Sequence, residues 1–304
     1  MALKKFLMAG IVAAVLVACG DDDSSDFATR PSGDSSSACE DCDCSSSSKA
    51  KSSSSSSVTP QSSDSETSVS SSSVTITDGS EYDADNNTLT DLRDSTVYKT
   101  VTIGTQIWMA ENLNYAYTGV PYKYTYIDSS YTSDSTSWCY GDSLANCTKY
   151  GRLYTWAAAM DSVGTWSTNG KGCGYGKRCT PTYPVRGVCP EGWHLPTKAE
   201  FETLFTAVGG SSTADEMLKS TSGWNSSGNG TDSYAFSVLP AGYRDSSGVF
   251  NNEGSRADFW SSSERSSITA YYMYLHFNYN FAYLFCDLKN FGFSVRCLKD
   301  LQAE

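Results

Sequence analysis

Residues 189–208 constrain the fold more than any other stretch of this chain. Cys189 and Pro190 open it, Gly192 turns the chain, Trp193, His194 and Leu195 form a short apolar segment, and a helix follows. Thr197 and Glu200 make a capping box: the threonine hydroxyl takes the amide of the third helical residue, whose carboxylate reaches back to the threonine amide. Phe201, Leu204, Phe205 and Val208 recur at i, i+3, i+4 and i+7, one apolar stripe that must lie on a core. Gly209 and Gly210 supply a left-handed stop. The stretch is rich in folding instructions and poor in chemistry, and so is the rest of the chain.

At 304 residues the chain has room for one or two domains. Its formal charge is −12 and its pI about 4.6. That balance argues against nucleic acid, which needs a basic face, and against a polybasic membrane patch. Acidity itself identifies no ligand; it reports solubility.

Residues 1–19 read as a targeting segment. Lys4 and Lys5 give the positive start, and Phe6 to Val17 is an apolar run too short for a comfortable membrane span. Leu16, Val17, Ala18 and Cys19 resemble a bacterial lipobox. The resemblance implies cleavage before Cys19 and acylation there, so the expected membrane partner is reached through lipid. More than one acyl chain anchors stably. Asp21, Asp22 and Asp23 are similar to surface-export signals of bacterial lipoproteins and equally fit an ordinary solvated tail. The expected location is therefore exported, on the outer membrane or cell surface.

Residues 20–73 read as a linker, with serine runs at 45–48, 52–57 and 70–73. Such a composition cannot bury enough apolar area to offset ordering entropy. A coil of 54 residues has an r.m.s. reach of roughly 40 Å. Cys39, Cys42 and Cys44 sit among acids inside it. A metal site there would lack a fourth ligand and a histidine, so a local disulfide or a cross-link to another copy is expected.

The folded part is expected over 74–304. Val97–Ile103, Gly104-Thr105 and Gln106–Met109 read as a β-hairpin with a glycine-first turn. Tyr115, Tyr117, Tyr122, Tyr124, Tyr126 and Tyr131 form a first aromatic stretch. Tyr150 to Asp161 reads as a helix with Leu153, Trp156, Ala157 and Met160 on one face. A second capping box, Thr213 with Glu216, starts a helix running through Leu218. Strands are expected at Phe236–Leu239, Tyr271–Phe277, Phe281–Cys286 and Phe291–Leu298. Helices ahead of a run of antiparallel strands mean a single α+β domain.

Of eleven cysteines, Cys19 goes to lipid and ten remain in an exported protein, where disulfides persist. Cys139 with Cys147 and Cys173 with Cys179 each bracket a short polar insert and are expected to pair. Cys39, Cys42, Cys44 and Cys286 stay unassigned.

The chain offers little for catalysis. Its two histidines, His194 and His276, sit beside a helix cap and inside an aromatic strand, and both places suit structural roles. Nucleophile-elbow, zincin and phosphate-loop motifs are missing. Two carboxylate pairs, Asp258 with Glu264 and Asp232 with Asp245, leave a paired-acid hydrolase open. No catalytic residue, metal or cofactor is assigned. What remains is aromatic surface. Strand alternation puts Tyr271, Met273 and Leu275 on one face and Tyr272, Tyr274 and His276 on the other. The second set is the more polar and is the candidate ligand-binding surface, together with Tyr279 and Trp260, since rigid amphipathic rings bind at low entropy cost. The plainer alternative is that these rings are strand interior and ordinary surface tyrosines, because alternation buries every second residue.

Several longer motifs occur in order: Gln106–Tyr115, Tyr150–Met160, Trp193–Phe201, Leu239–Arg244, Phe259–Glu264 and Gly292–Cys297. Over residues 81–299 the chain resembles the Fibrobacter succinogenes major paralogous domain, which implies a bacterial surface or secreted protein. The helix start and the chain's end are also similar, more loosely, to C-type-lectin-like and formylglycine-generating-enzyme-like domains. That similarity implies a single C-type-lectin-like domain. Together the resemblances imply a Cys189–Cys297 disulfide, closing a loop of about 107 residues and worth roughly 4–5 kcal/mol in the chain-entropy model. The lectin calcium motif is missing, since Trp260 precedes Ser261 and Trp224 precedes Asn225 and Ser226. The expected role is a surface-anchored, non-catalytic binding or adhesion module for plant cell-wall polysaccharide. The alternatives are an enzyme, either a copper oxidase of formylglycine-generating type using reduced cysteines or a paired-carboxylate hydrolase, and a structural envelope protein.

Overall fold

The computed structural model describes residues 78–123 and 132–301. The targeting segment with Cys19, the serine linker with Cys39, Cys42 and Cys44, and the side chains of Tyr122, Tyr124, Tyr126 and Tyr131 lie outside the described residues. Four strands come first: β1 (Ser80–Asp83), β2 (Thr88–Asp91), β3 (Thr96–Ile103) and β4 (Gln106–Met109), each antiparallel to the one before. The β3–β4 corner is the expected glycine-first turn, with Gly104 at φ +62°. A separate hairpin of β5 (Thr118–Lys123) and β6 (Thr132–Ser135) follows. Next, β7 (Ser137–Trp138) pairs with β8 (Leu153–Tyr154) around the helix α1 (Leu144–Tyr150), and the short α2 (Trp156–Ala159) comes after. A long irregular segment leads to β9 (Trp193–His194), α3 (Lys198–Ala207) and α4 (Ser211–Leu218). The last third holds β10 (Tyr243–Arg244), β11 (Phe250–Asn251), β12 (Arg256–Glu264), β13 (Thr269–His276), β14 (Tyr283–Leu288) and β15 (Leu298–Lys299). The arrangement is α+β, mostly antiparallel sheet with four α-helices among the described residues.

The largest sheet has the order β1-β2-β3-β4-β15-β9. Leu298 faces Trp108 of β4 on one side and His194 of β9 on the other. Cys297 is bonded to Cys189 beside this junction, with Cα atoms 5.9 Å apart. Cys139–Cys147 and Cys173–Cys179 are bonded too, so all three expected pairs form.

Helix α3 realises both halves of its capping box: Glu200 N donates to Thr197 Oγ1 at 3.2 Å and Thr197 N donates to Glu200 Oε2 at 2.7 Å. Its stripe of Phe201, Leu204, Phe205 and Val208 is buried with Trp108, Phe236, Phe259, Met273 and Leu275. Each such side chain contributes about 1.5–3 kcal/mol of transfer free energy. A second core gathers Trp156, Trp193, Trp260, Tyr154, Tyr272, Phe293 and Val295. The three-stranded sheet β12-β13-β14 stands between the two cores and contributes side chains to both.

Four expected elements differ. The 150–161 helix is broken, because α1 ends at Tyr150 and Gly151 turns at φ +71°. A Cβ there would lie 2.8 Å from Asn112, so the backbone passes too close for a side chain. Only Trp156–Ala159 stays helical, capped by Thr155. Helix α4 starts at Ser211 rather than at a Thr213 cap; Thr213 Oγ1 instead donates to Val208 O at 2.9 Å. Residues 236–239 are not a strand, since Ser237 lies at φ +54° and only Val238 makes a bridge, to Lys219. Residues 291–297 do not run along one partner. Gly292, Phe293 and Ser294 bridge in turn to Arg244, Tyr154 and Phe259.

Candidate functional site

The strand expected to present Tyr272, Tyr274 and His276 is β13, the middle of its sheet. Register places Trp260 opposite Tyr272, and Tyr272 and Tyr274 opposite Phe285 and Tyr283. Alternation predicts a wet face only where one side of a sheet meets water. Here one side carries Phe259, Met273 and Leu275 into the α3 core, and the other carries Trp260 and Tyr272 against Phe293. Tyr272 is 4% exposed, Tyr274 is 9% and Trp260 is fully buried. The expected binding role of these three is therefore corrected: they are core.

The wet aromatic surface lies further out, around the edge strand β14 and the turn before it. Tyr279 is 41% and Phe281 45% exposed. Tyr283 and Phe285 are half-buried and stack at 5.1 Å with planes 14° apart. Phe281 and Tyr279 approach Tyr283 at 6.0 and 6.1 Å, and His276 approaches Tyr279 at 4.8 Å. The structure thus brings His276 and Tyr279 together and adds Phe281, Tyr283 and Phe285. The signal for the added three was in the sequence. Phe281, Tyr283 and Phe285 alternate along a run at the end of an antiparallel succession, where an edge strand keeps one flank in water. The His276 ring is half-buried, which lowers its pKa although Asn278 bonds it, so it is neutral at pH 7.

The carboxylates of the two expected pairs, Asp258 with Glu264 and Asp232 with Asp245, are each engaged with partners of their own. Asp258 is fully buried and accepts from Arg256 Nε at 2.8 Å. Burial pushes its carboxyl up to about 7 despite that cation. The Arg256 guanidinium also donates to Tyr272 Oη at 3.1 Å and lies 4.4 Å over Tyr243 and 4.8 Å over Tyr274. Glu264, at the far end of β12, takes Lys289 at 2.5 Å. Asp232 and Asp245 accept local backbone amides, from Ser237 at 2.7 Å and from Val249 at 3.0 Å, and hold loops. His194 is buried, with Nδ1 2.6 Å from Asp300 and Nε2 3.0 Å from Glu200, which is the structural placement its sequence context implied. Cys297 is committed to Cys189 and is not a reduced copper ligand. Among the described residues no three histidine, cysteine or acidic side chains are grouped to hold a metal ion. Nor is any described helix long and apolar enough to cross a membrane.

None of the curated proteins and no solved structure matches this chain. The family model of the Fibrobacter succinogenes major domain matches residues 101–299, from within β3 to the end of β15. That span takes in the capped helix, the Cys189–Cys297 link, most of both cores and the aromatic edge, and on it the chain belongs to the Fibrobacter succinogenes major domain family.

Proposed function

We propose that this protein is a lipid-anchored, surface-exposed binding or adhesion module that holds plant cell-wall polysaccharide without transforming it. The observation that carries the reading is the row Tyr279, Phe281, Tyr283 and Phe285 along the edge strand β14 and the turn before it. Exposed apolar rings of that kind are costly to leave unused and suit the flat faces of sugars. An anchor at Cys19 and a serine linker of 54 residues would carry the head away from the membrane. A C-type-lectin-like organisation of the head is part of the proposal. It is supported by the chain's last strand lying beside its early strands and by the disulfide next to it.

The test is retention of the full chain, in detergent, on insoluble cellulose and xylan. Tyr279→Ala with Phe281→Ala should lower the bound fraction at least about fivefold, since ring contacts contribute about 0.5–1.5 kcal/mol each. No retention on any cell-wall polysaccharide, or equal retention of the variant, would overturn it.

A further inference from the structure

On another part of the surface, a groove of about 680 Å³ opens between β2–β3, the segment after β4 and the end of α1. Its size falls within the range of small-molecule sites, roughly 300–1,000 Å³. The charged residues lining it are Lys99, Lys149, Arg296 and Glu111. Three cations against one carboxylate is a concentration of positive charge in a protein whose formal net charge is −12. Glu111 accepts the Lys99 amide at 2.7 Å, and its charge reaches Arg296 only from beyond ion-pair distance.

Arg296 is the unusual member. It is 1% exposed and donates only to neutral acceptors: Asn112 Oδ1 at 2.8 Å, Ser237 O at 3.1 Å and Phe236 O. Its guanidinium lies 4.5 Å over Phe236 and 5.3 Å over Phe259. Arg93, Lys219 and Lys289 are buried as well, and each has a carboxylate within ion-pair distance; Arg296 has none among the described residues. Burial pushes its pKa down to about 9, which still leaves it charged at pH 7. The carboxylates of Asp232 and Glu111 favour its charge only from beyond ion-pair distance. A buried charge without a close partner costs several kcal/mol, so a folded protein that keeps one gains from an anion arriving beside it.

Two further groups in the same groove lack partners. Thr100 is 7% exposed and its Oγ1 has no hydrogen-bond partner, and the buried Asn114 Oδ1 has none either. An unmade hydrogen bond at a buried polar atom costs about 1–3 kcal/mol. One is a hydroxyl, able to donate or accept, and the other is an acceptor. A ligand that satisfies both while supplying negative charge carries hydroxyls and a carboxylate on one small frame.

We infer that this groove binds an acidic sugar, a uronic-acid unit of a polysaccharide, its carboxylate facing Arg296 and Lys149 and its hydroxyls completing Thr100 and Asn114. The site is separate from the aromatic edge. It would give the head a preference for acidic over neutral glycans.

The test is titration calorimetry of the full chain with trigalacturonate and, as the neutral comparison, galactotriose. Trigalacturonate should saturate the protein and bind at least about tenfold more tightly, weakening as salt is added. Lys149→Glu, at an exposed position, and Thr100→Val should each weaken it about three- to tenfold. Thr100→Val replaces an unpartnered hydroxyl with a methyl of similar shape and should leave the melting temperature unchanged or slightly raised. Tyr279→Ala with Phe281→Ala should leave trigalacturonate binding intact, so this site and the aromatic edge fail or stand separately. Equal binding of the two trisaccharides, no saturation up to about 10 mM, indifference to both groove substitutions, or tri-aspartate binding as tightly as trigalacturonate would overturn the inference.

Discussion

Raising the pH from 6 to 9.5 should loosen the chain's end from helix α3, and the lever is one imidazole. His194 lies between Asp300 at 2.6 Å and Glu200 at 3.0 Å. Burial disfavours the charged ring, but the hydrogen bonds to Asp300 and Glu200 outweigh it and push the pKa from 6.5 up to about 9. A group whose pKa is raised by folding stabilises the native state fully below its unfolded value and loses that contribution as pH rises through the folded one. The stabilisation is thus complete below about 6.5 and gone above about 9. At about 1.4 kcal/mol per pH unit, the ceiling is about 3.4 kcal/mol. Both carboxylates remain partly exposed and screened, which reduces it to about 1–2 kcal/mol. For a head of this size that is roughly 2–8 °C in melting temperature. Calorimetric melting of the wild type and His194→Gln at pH 6, 7.5 and 9.5 reads it directly. The variant should be less stable at pH 6 and approach the wild type at pH 9.5. A gap between the two that stays constant across that range would refute the charged-latch reasoning.

Trp260→Ala, at a fully buried position, should cost about 3–5 kcal/mol by denaturant unfolding, whereas Tyr279→Ala should cost less than about 0.5 kcal/mol. Similar costs for the two would contradict the assignment of one to the core and the other to the surface. Replacing Cys189 and Cys297 together with serine should lower stability by about 4–5 kcal/mol, measured by urea unfolding under non-reducing conditions. Thr197→Ala removes both side-chain bonds of the α3 cap and should cost about 1 kcal/mol in the same assay.

Local signals in the sequence were legible where a few neighbouring residues decide the structure. The α3 cap and stripe, the Gly104 corner and the two short disulfides are of that kind. The Cys189–Cys297 pair came from family resemblance, since nothing local joins residues 108 apart. The errors arose where a distant segment decided the outcome. Alternation in 271–276 looked like one dry and one wet face, but residues 291–297 cover the second face, and periodicity cannot see them coming. The alanine run near 157 promised a longer helix, yet Gly151 had to pass close to Asn112. The groove around Arg296 was invisible because its walls come from five separated stretches of chain, and an arginine beside a cysteine does not advertise that no carboxylate comes within ion-pair distance.

The placement of Leu298 between β4 and β9 has a consequence for how force or damage would spread through the head. Those two strands share no ladder with each other, so every sheet hydrogen bond that joins them runs through the two residues of β15. Were Leu298 and Lys299 pulled away, the sheet would part at that seam, and the Cys189–Cys297 bond would be the covalent tether left to keep the two sides in register.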